Sequence, residues 1–379
     1  MLQSFIVYTS LSIFMIFCGV IASNREQCNS RIGLNLSFFR SETIVPLFVF
    51  AIIFGCRYNV GVDYPHYLEG YLYGSDRNME FLFGLVTNEM SNLGIHYALY
   101  FTLWAFVEVF LLFYTFRRQR FLFPYITFYL IFGSYYLSMM NIIRQQLAAC
   151  VFLFSLQYID SQKWVKYYLC VLLAFLFHKS ALLLLFVYPI FRKEKDWFPT
   201  RKFQYLLLLI ALYLSMNYNL VVKLISIPFA LFTGALGYEN YLEGILYNEK
   251  LNSVAQFGNN TGLGVYIQVY LSFVMIWYSK RMKAHYADSF FLIIYSLWFV
   301  RILADFVVGD SIILNRPFVY VYNLKIVMLA YFTVFCLRTK QKIPLLIACS
   351  FILIHIILFL NVLSNGEVNT SMFKFFWQI

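Results

Sequence analysis

Long apolar stretches recur along the whole chain, near 2–22, 43–56, 97–116, 121–140, 142–159, 164–191, 203–222, 263–279, 286–308, 317–337 and 343–363. A run of ~20 apolar residues matches the ~30 Å hydrocarbon thickness of a bilayer. Lipid offers no partner to a backbone N–H or C=O, so spanning segments are helices or closed barrels. Runs this long, without polar alternation, select helices. Composition agrees: 61% of residues are hydrophobic and 12% charged, against about 25% charged in soluble domains. A chain with mean hydropathy +0.70 cannot clothe a soluble surface. A cytosolic enzyme and a secreted domain are thereby excluded. A nucleic-acid binder is excluded too, despite a net charge of +11.

That charge resolves into clusters between the apolar runs: Arg25/Arg31/Arg40, Arg117/Arg118/Arg120, Lys163/Lys166, Arg192/Lys193/Lys195/Arg201/Lys202, Lys280/Arg281/Lys283 and Arg338/Lys340/Lys342. Lys and Arg concentrate on the cytoplasmic side of membrane proteins, so all six clusters are expected there. The stretch 164–191 carries basic clusters at both ends, so it is expected to be two short helices meeting near His178. Segment 81–94 is read as lying on the outer surface or dipping in. The expectation is an all-α polytopic membrane protein of about 12 transmembrane helices, one integral domain over 1–379, with both termini outside. The N-terminal run lacks a basic n-region and is read as a retained helix. A long outer loop at 223–262 is too long to be a simple connector. The seven cysteines lie mostly within apolar runs and show no CxxC pattern, which suits small core residues.

Three segments stand out chemically. Arg57-Tyr-Asn-Val-Gly61-Val-Asp63-Tyr64-Pro-His66-Tyr67 crowds an arginine, an acid and aromatics behind an apolar helix end. Arginine's planar fork suits phosphate oxygens, and aromatic faces suit sugars; an interfacial anchor would select similar residues. Asn141, Arg144 and Gln145 stand at i, i+3 and i+4, one face of a helix expected to start there. An arginine just inside a spanning helix faces a cavity or partner, or snorkels to the interface. His178-Lys179-Ser180-Ala181 interrupts an apolar run, and histidine exchanges protons near neutral pH. A hydrogen-bonded packing histidine is the plainer reading. Further along, Arg301 and Asp305 are spaced to neutralise each other, Arg316 begins the next helix, and Lys325 is expected to pair with Glu108.

Absences narrow the chemistry. The chain has no Walker A loop, GxGxxG, HExxH or DxD-type acid pair, and its five histidines lack metal-ligand spacing. Group transfer here is expected to use a pre-activated donor, without a cofactor or a required metal.

In order, Arg57-x-x-x-Gly61-x-Asp63-Tyr64-x-x-Tyr67, Arg144-Gln145-x-Leu147-Ala148 and His178-Lys179-Ser180-Ala181-Leu182 resemble the EpsG-type branch of the Wzy O-antigen and capsule polymerases. Asn315-Arg316-Pro317…Tyr320 is similar to a looser late motif of that family. The resemblance implies a GT-C-like glycosyltransferase of the bacterial inner membrane, with its active site facing the periplasm. It would join undecaprenyl-pyrophosphate-linked oligosaccharide repeat units, working beside a flippase and a chain-length regulator among membrane lipids.

A pyrophosphate leaving group needs fixed positive charge, for which Arg57, Arg144, Arg301 and Arg316 are candidates. A base for the acceptor hydroxyl is Asp63 or His178, and the sequence does not choose between them. Tyr64, Tyr67, Asn141, Gln145 and Lys179, with Tyr238 and Tyr241 of the long loop, complete the expected substrate contacts. The alternatives are a transporter flipping a lipid-linked oligosaccharide and a membrane O-acyltransferase using His178. The first would be expected to show paired repeats with interrupted helices, which are not evident. The second would need a cytosolic acyl donor to reach an outward-facing histidine.

Overall fold

A computed structural model describes residues 1–31, 37–74, 79–192, 195–217, 263–308, 312–366 and 372–378. Helix α1 spans Leu2–Arg31, α2 Ser41–Gly55, α3 Tyr64–Tyr73, α4 Phe81–Asn92, α5 Tyr97–Thr115, α6 Phe123–Phe132, α7 Tyr136–Asn141, α8 Ile143–Asp160 and α9 Trp164–Phe177. A 3₁₀ segment at Lys179–Phe186 leads to α10 (Val187–Phe191), α11 (Arg201–Ser215), α12 (Leu263–Tyr286), α13 (Ser289–Val308) and α14 (Ile312–Asn315). A further 3₁₀ segment at Arg316–Val321 precedes α15 (Leu324–Thr339) and α16 (Lys342–Asn365).

The protein is an all-α membrane protein. Among the described residues, Leu2–Cys28, Tyr97–Thr115, Ser289–Val308, Arg316–Thr339 and Lys342–Asn365 are long and apolar enough to cross a bilayer. Four shorter apolar helices join them: Ser41–Gly55, Arg120–Phe132, Trp164–Phe177 and Lys179–Phe191. These segments do not by themselves establish the count of about 12 transmembrane helices expected from sequence. Helices α8, α11 and α12 carry polar or basic residues within their lengths, among them Arg144, Gln146, Lys202 and Lys280. The loop 223–262, with Tyr238, Tyr241 and Tyr247, lies outside the described residues.

The stretch 164–191 breaks where expected. Helix α9 ends at Phe177, and His178 is extended at φ −157° and ψ 121° before the 3₁₀ turn. The stretch 121–140, expected to be one helix, divides instead. Ser134 adopts the left-handed region at φ 57°, which ends α6 and turns the chain into α7.

Helix α8 is the hub, buried from Gln145 to Leu153 and packed on α5, α9, α13 and the Arg316–Val321 segment. Ala148, Ala149 and Cys150 let those neighbours approach closely. Outward faces are apolar: Leu346, Leu353 and Leu360, spaced by seven, form a stripe along α16 that suits lipid.

The basic clusters gather at one end of the bundle. Arg117 bonds Gln157 at 2.8 Å, Ser289 bonds Asp160, Lys283 bonds Asp196 at 2.7 Å, and Arg338 lies over the Phe121 ring. At a rise of ~1.5 Å per residue, the Arg144 end of α8 is about 24 Å from its Asp160 end. Strand β1 (Arg57–Tyr58) pairs antiparallel with β2 (Lys374–Phe375), and Ser4 accepts from the Phe373 amide at 3.1 Å. The two ends of the chain thus meet beside the Arg57–Asp63 loop.

Candidate active site

Helix α8 opens with Arg144 pointing at a carboxylate from elsewhere in the chain. Arg144 Nη1 lies 2.9 Å from Oε2 of Glu80, which immediately precedes α4 and is buried. The other oxygen, Oε1, is 4.0 Å from His178 Nε2. The break after α9 places His178 here, because an extended residue cannot continue the helix and its ring swings toward α8. His178 Nδ1 is 2.8 Å from Ser180 Oγ and 3.3 Å from the Tyr320 hydroxyl, and Ser180 Oγ is 2.7 Å from that hydroxyl. Tyr320 belongs to the Arg316–Val321 segment, whose Arg316 carbonyl accepts from Gln145 Nε2 at 2.7 Å. Arg144, His178 and Arg316, separated in sequence, are joined by one polar network.

Asp63 caps α3 at the edge of this network, half-buried, within electrostatic reach of Arg144, Arg316 and His66. Burial pushes its carboxyl above the usual 3.8, and those three neighbours pull against the shift. Tyr67, one turn along α3, is hydrogen-bonded to Arg144. Loss of water on burial raises its phenol to about 12, so it remains a neutral hydroxyl.

Other expected site residues are placed elsewhere. Arg57 is 2% exposed and spends its fork on backbone: it donates to the carbonyls of Phe54, Val60 (3.1 Å) and Met140 (3.3 Å). Tyr64 and Phe101 flank its guanidinium, with ring centres 5.5 and 5.1 Å away. This pair holds the loop rather than lining the network. Lys179 is exposed, while its neighbours His178 and Ser180 are buried.

Arg301 bonds Asp305 at 2.5 Å and Asn315 at 2.7 Å, so its charge is held within the bundle. Lys325 bonds the same Asp305 at 2.9 Å, which corrects the expected Glu108 partner. Glu108 is buried with Arg57 as its charged neighbour. Asn141, Arg144 and Gln145 do not share one helix either. Ile142, at φ −100° and ψ 50°, separates α7 from α8, and Asn141 instead accepts from the Val62 amide at 2.8 Å.

The residue missed in the sequence is Glu80. Its signal was position: an acid at the start of an apolar helix, on the side where Arg144 needs a counter-charge. Ser180 and Tyr320 stood within the motifs but without a role. Among the described residues no trio of His, Cys, Asp or Glu side chains converges as a metal site would.

The arrangement offers two arginines from distant segments, a half-buried carboxylate within electrostatic reach of both, and a histidine held at Nδ1 with Glu80 beside Nε2. Such a site can hold an anionic group and accept a proton beside it. No curated protein and no solved structure matches the chain. A family model matches residues 43–377, from α2 through β2 and nearly the whole chain, and the protein therefore belongs to the EpsG family.

Proposed function

We propose that this protein is a polysaccharide polymerase of the bacterial inner membrane. In this reading it joins undecaprenyl-pyrophosphate-linked oligosaccharide repeats at the periplasmic face. Membership of the EpsG family associates it with membrane polysaccharide biosynthesis and glycosyltransferase-like polymerases. The observation that carries the finer reading is the convergence of Arg144, Arg316 and Asp63 at the end of the bundle opposite the basic clusters. By the positive-inside rule that end faces outward.

A hydroxyl of the incoming repeat attacks the anomeric carbon of the growing chain. The bond from that carbon to the pyrophosphate oxygen breaks, and its electron pair leaves with the lipid pyrophosphate. Arg144 and Arg316 stabilise the charge that builds there. The hydroxyl proton passes to Asp63. His178 is the weaker choice of base, because Ser180 and Tyr320 occupy Nδ1 and Glu80 faces Nε2. Tyr238 and Tyr241 would contact the bound glycan, and a flippase and chain-length regulator would work alongside.

The test is a chromosomal deletion complemented by variants and read by gel analysis of the surface polysaccharide. Deletion should remove long-chain polymer and leave a single repeat unit. Arg144→Lys should fail nearly as badly as Arg144→Ala, because a point charge does not replace a planar fork, whereas Arg118→Lys in the basic end should be silent. An unchanged polymer ladder in the deletion strain would sink the reading.

A further inference from the structure

We propose, resting on the polymerase reading, that Glu80 is a positioning residue: it sets the Arg144 fork and the His178 ring, and its charge opposes resting binding of pyrophosphate. The geometry is a bridge. One carboxylate oxygen takes Arg144 Nη1 at 2.9 Å and the other faces His178 Nε2 at 4.0 Å, with Glu80 only 7% exposed. A guanidinium gripped at one Nη by a fixed carboxylate, with Tyr67 hydrogen-bonded to the same side chain, is held in a set plane. The Ser180 and Tyr320 hydroxyls hold Nδ1 on one side of the ring, and Glu80 flanks Nε2 on the other. Rotation of His178 is then blocked from both sides. Through Ser180 and Tyr320 the same lock reaches the segment that begins at Arg316.

Charge gives Glu80 a second consequence. Arg144 and Arg316 are the cations of this end of the network, and Asp63 and Glu80 are its carboxylates. An incoming pyrophosphate must therefore share Arg144 with Glu80. That weakens its resting hold while keeping the fork aimed for the step in which leaving-group charge develops, which is where stabilisation accelerates reaction. Removing the charge should favour binding and harm turnover, a split that a merely structural role would not produce.

The experiment uses the purified full-length protein in neutral detergent. It has two readouts: affinity for inorganic pyrophosphate, and turnover of lipid-linked repeats. Glu80→Gln keeps the size and loses the charge, and it should bind pyrophosphate about five-fold more tightly while turning over roughly 10²-fold more slowly. Glu80→Asp keeps the charge and shortens the reach, so it should bind as wild type does and still turn over slowly. In an Arg144→Ala background, Glu80→Gln should add no further loss of turnover. If Glu80→Gln weakens binding and turnover together, or leaves turnover intact, the positioning role is wrong. Should Glu80→Gln not accumulate, Glu80→Asp carries the test, and wild-type turnover in it overturns the proposal. A wild-type protein that neither binds pyrophosphate nor polymerises would instead sink the polymerase reading.

Discussion

Gly61 stands so close to Asn141 that a Cβ added to it would lie 2.7 Å from Asn141 Oδ1, the atom that accepts from the Val62 amide. Gly61 also has φ +114°, a conformation that side chains disfavour. The contact joins the Asp63 loop to the end of α7, two residues before α8 begins. It thereby fixes the distance between Asp63 and Arg144.

Gly61→Ala should therefore cost about 1–3 kcal/mol of stability and reduce polymerisation by more than the stability loss explains, because Asp63 is displaced. Gly74 supplies the control. It is left-handed at φ +62° with nothing within 4 Å of an added Cβ, so Gly74→Ala should show backbone strain alone. Thermal unfolding and turnover measured on both variants make the comparison. Equal turnover in the two would remove the Gly61–Asn141 contact from the site's construction.

Arg57 and Arg144 should respond to substitution in opposite ways. Arg57 is buried against three carbonyls and two rings, so Arg57→Ala should lower stability by about 3–5 kcal/mol and deplete the protein from the membrane. Arg57→Lys should rescue little of this, since an ammonium cannot span the carbonyls of Phe54, Val60 and Met140 together. Arg144→Lys should leave membrane abundance near wild type and remove activity. Quantitative blotting beside the polymer gel separates the two classes. Normal abundance of inactive Arg57→Ala would return Arg57 to the catalytic group.

What the sequence made legible follows from local signals. The break at His178 was readable because a polar tripeptide interrupts an apolar run and basic clusters at both ends require an even number of crossings. The Arg301–Asp305 pair was readable from helical spacing alone. Relationships over distance were not: Glu80 and Arg144 are 64 residues apart, and no spacing rule joins them. The Asn141–Arg144–Gln145 face assumed an unbroken helix, and one residue, Ile142, undoes it. Lys325 had two acids to choose from, and packing of α15 on α13 decided for Asp305. Arg57 looked like a ligand-binding residue because motif and loop chemistry carry no information about burial.

Asp63 should show opposite effects on stability and activity. Its carboxyl titrates above the ordinary 3.8 because burial disfavours the charged form. The folded protein then holds that proton more tightly than the unfolded chain. The contribution to stability is present below the unfolded value and is lost as pH rises through the folded one. At neutral pH the charged Asp63 is a burden, and Asp63→Asn should leave the melting temperature unchanged or raised. The same variant should lose ~10²–10⁴ in turnover with the general base gone. In the wild type the acid limb of the turnover profile should lie above 3.8, since only the carboxylate accepts the proton. An active Asp63→Asn protein would end the assignment.

The orientation of the bundle can be read with two single cysteines. Val62 is 70% exposed beside Asp63, and Lys163 is exposed among the basic residues at the start of α9. Seven native cysteines, two of them exposed at Cys28 and Cys349, require a Cys-free background. In intact spheroplasts a membrane-impermeant maleimide should label Val62→Cys strongly and leave Lys163→Cys unlabelled until the membrane is opened. The expectation rests on where the lysines and arginines gather: Arg117, Arg118, Lys163 and Lys166 line one polar pocket of about 540 Å³, and such clusters stay on the cytoplasmic side. Labelling of position 163 from outside, with position 62 protected, would turn the bundle over. It would place Arg144, Arg316 and Asp63 in the cytoplasm, where the proposed periplasmic reaction could not occur.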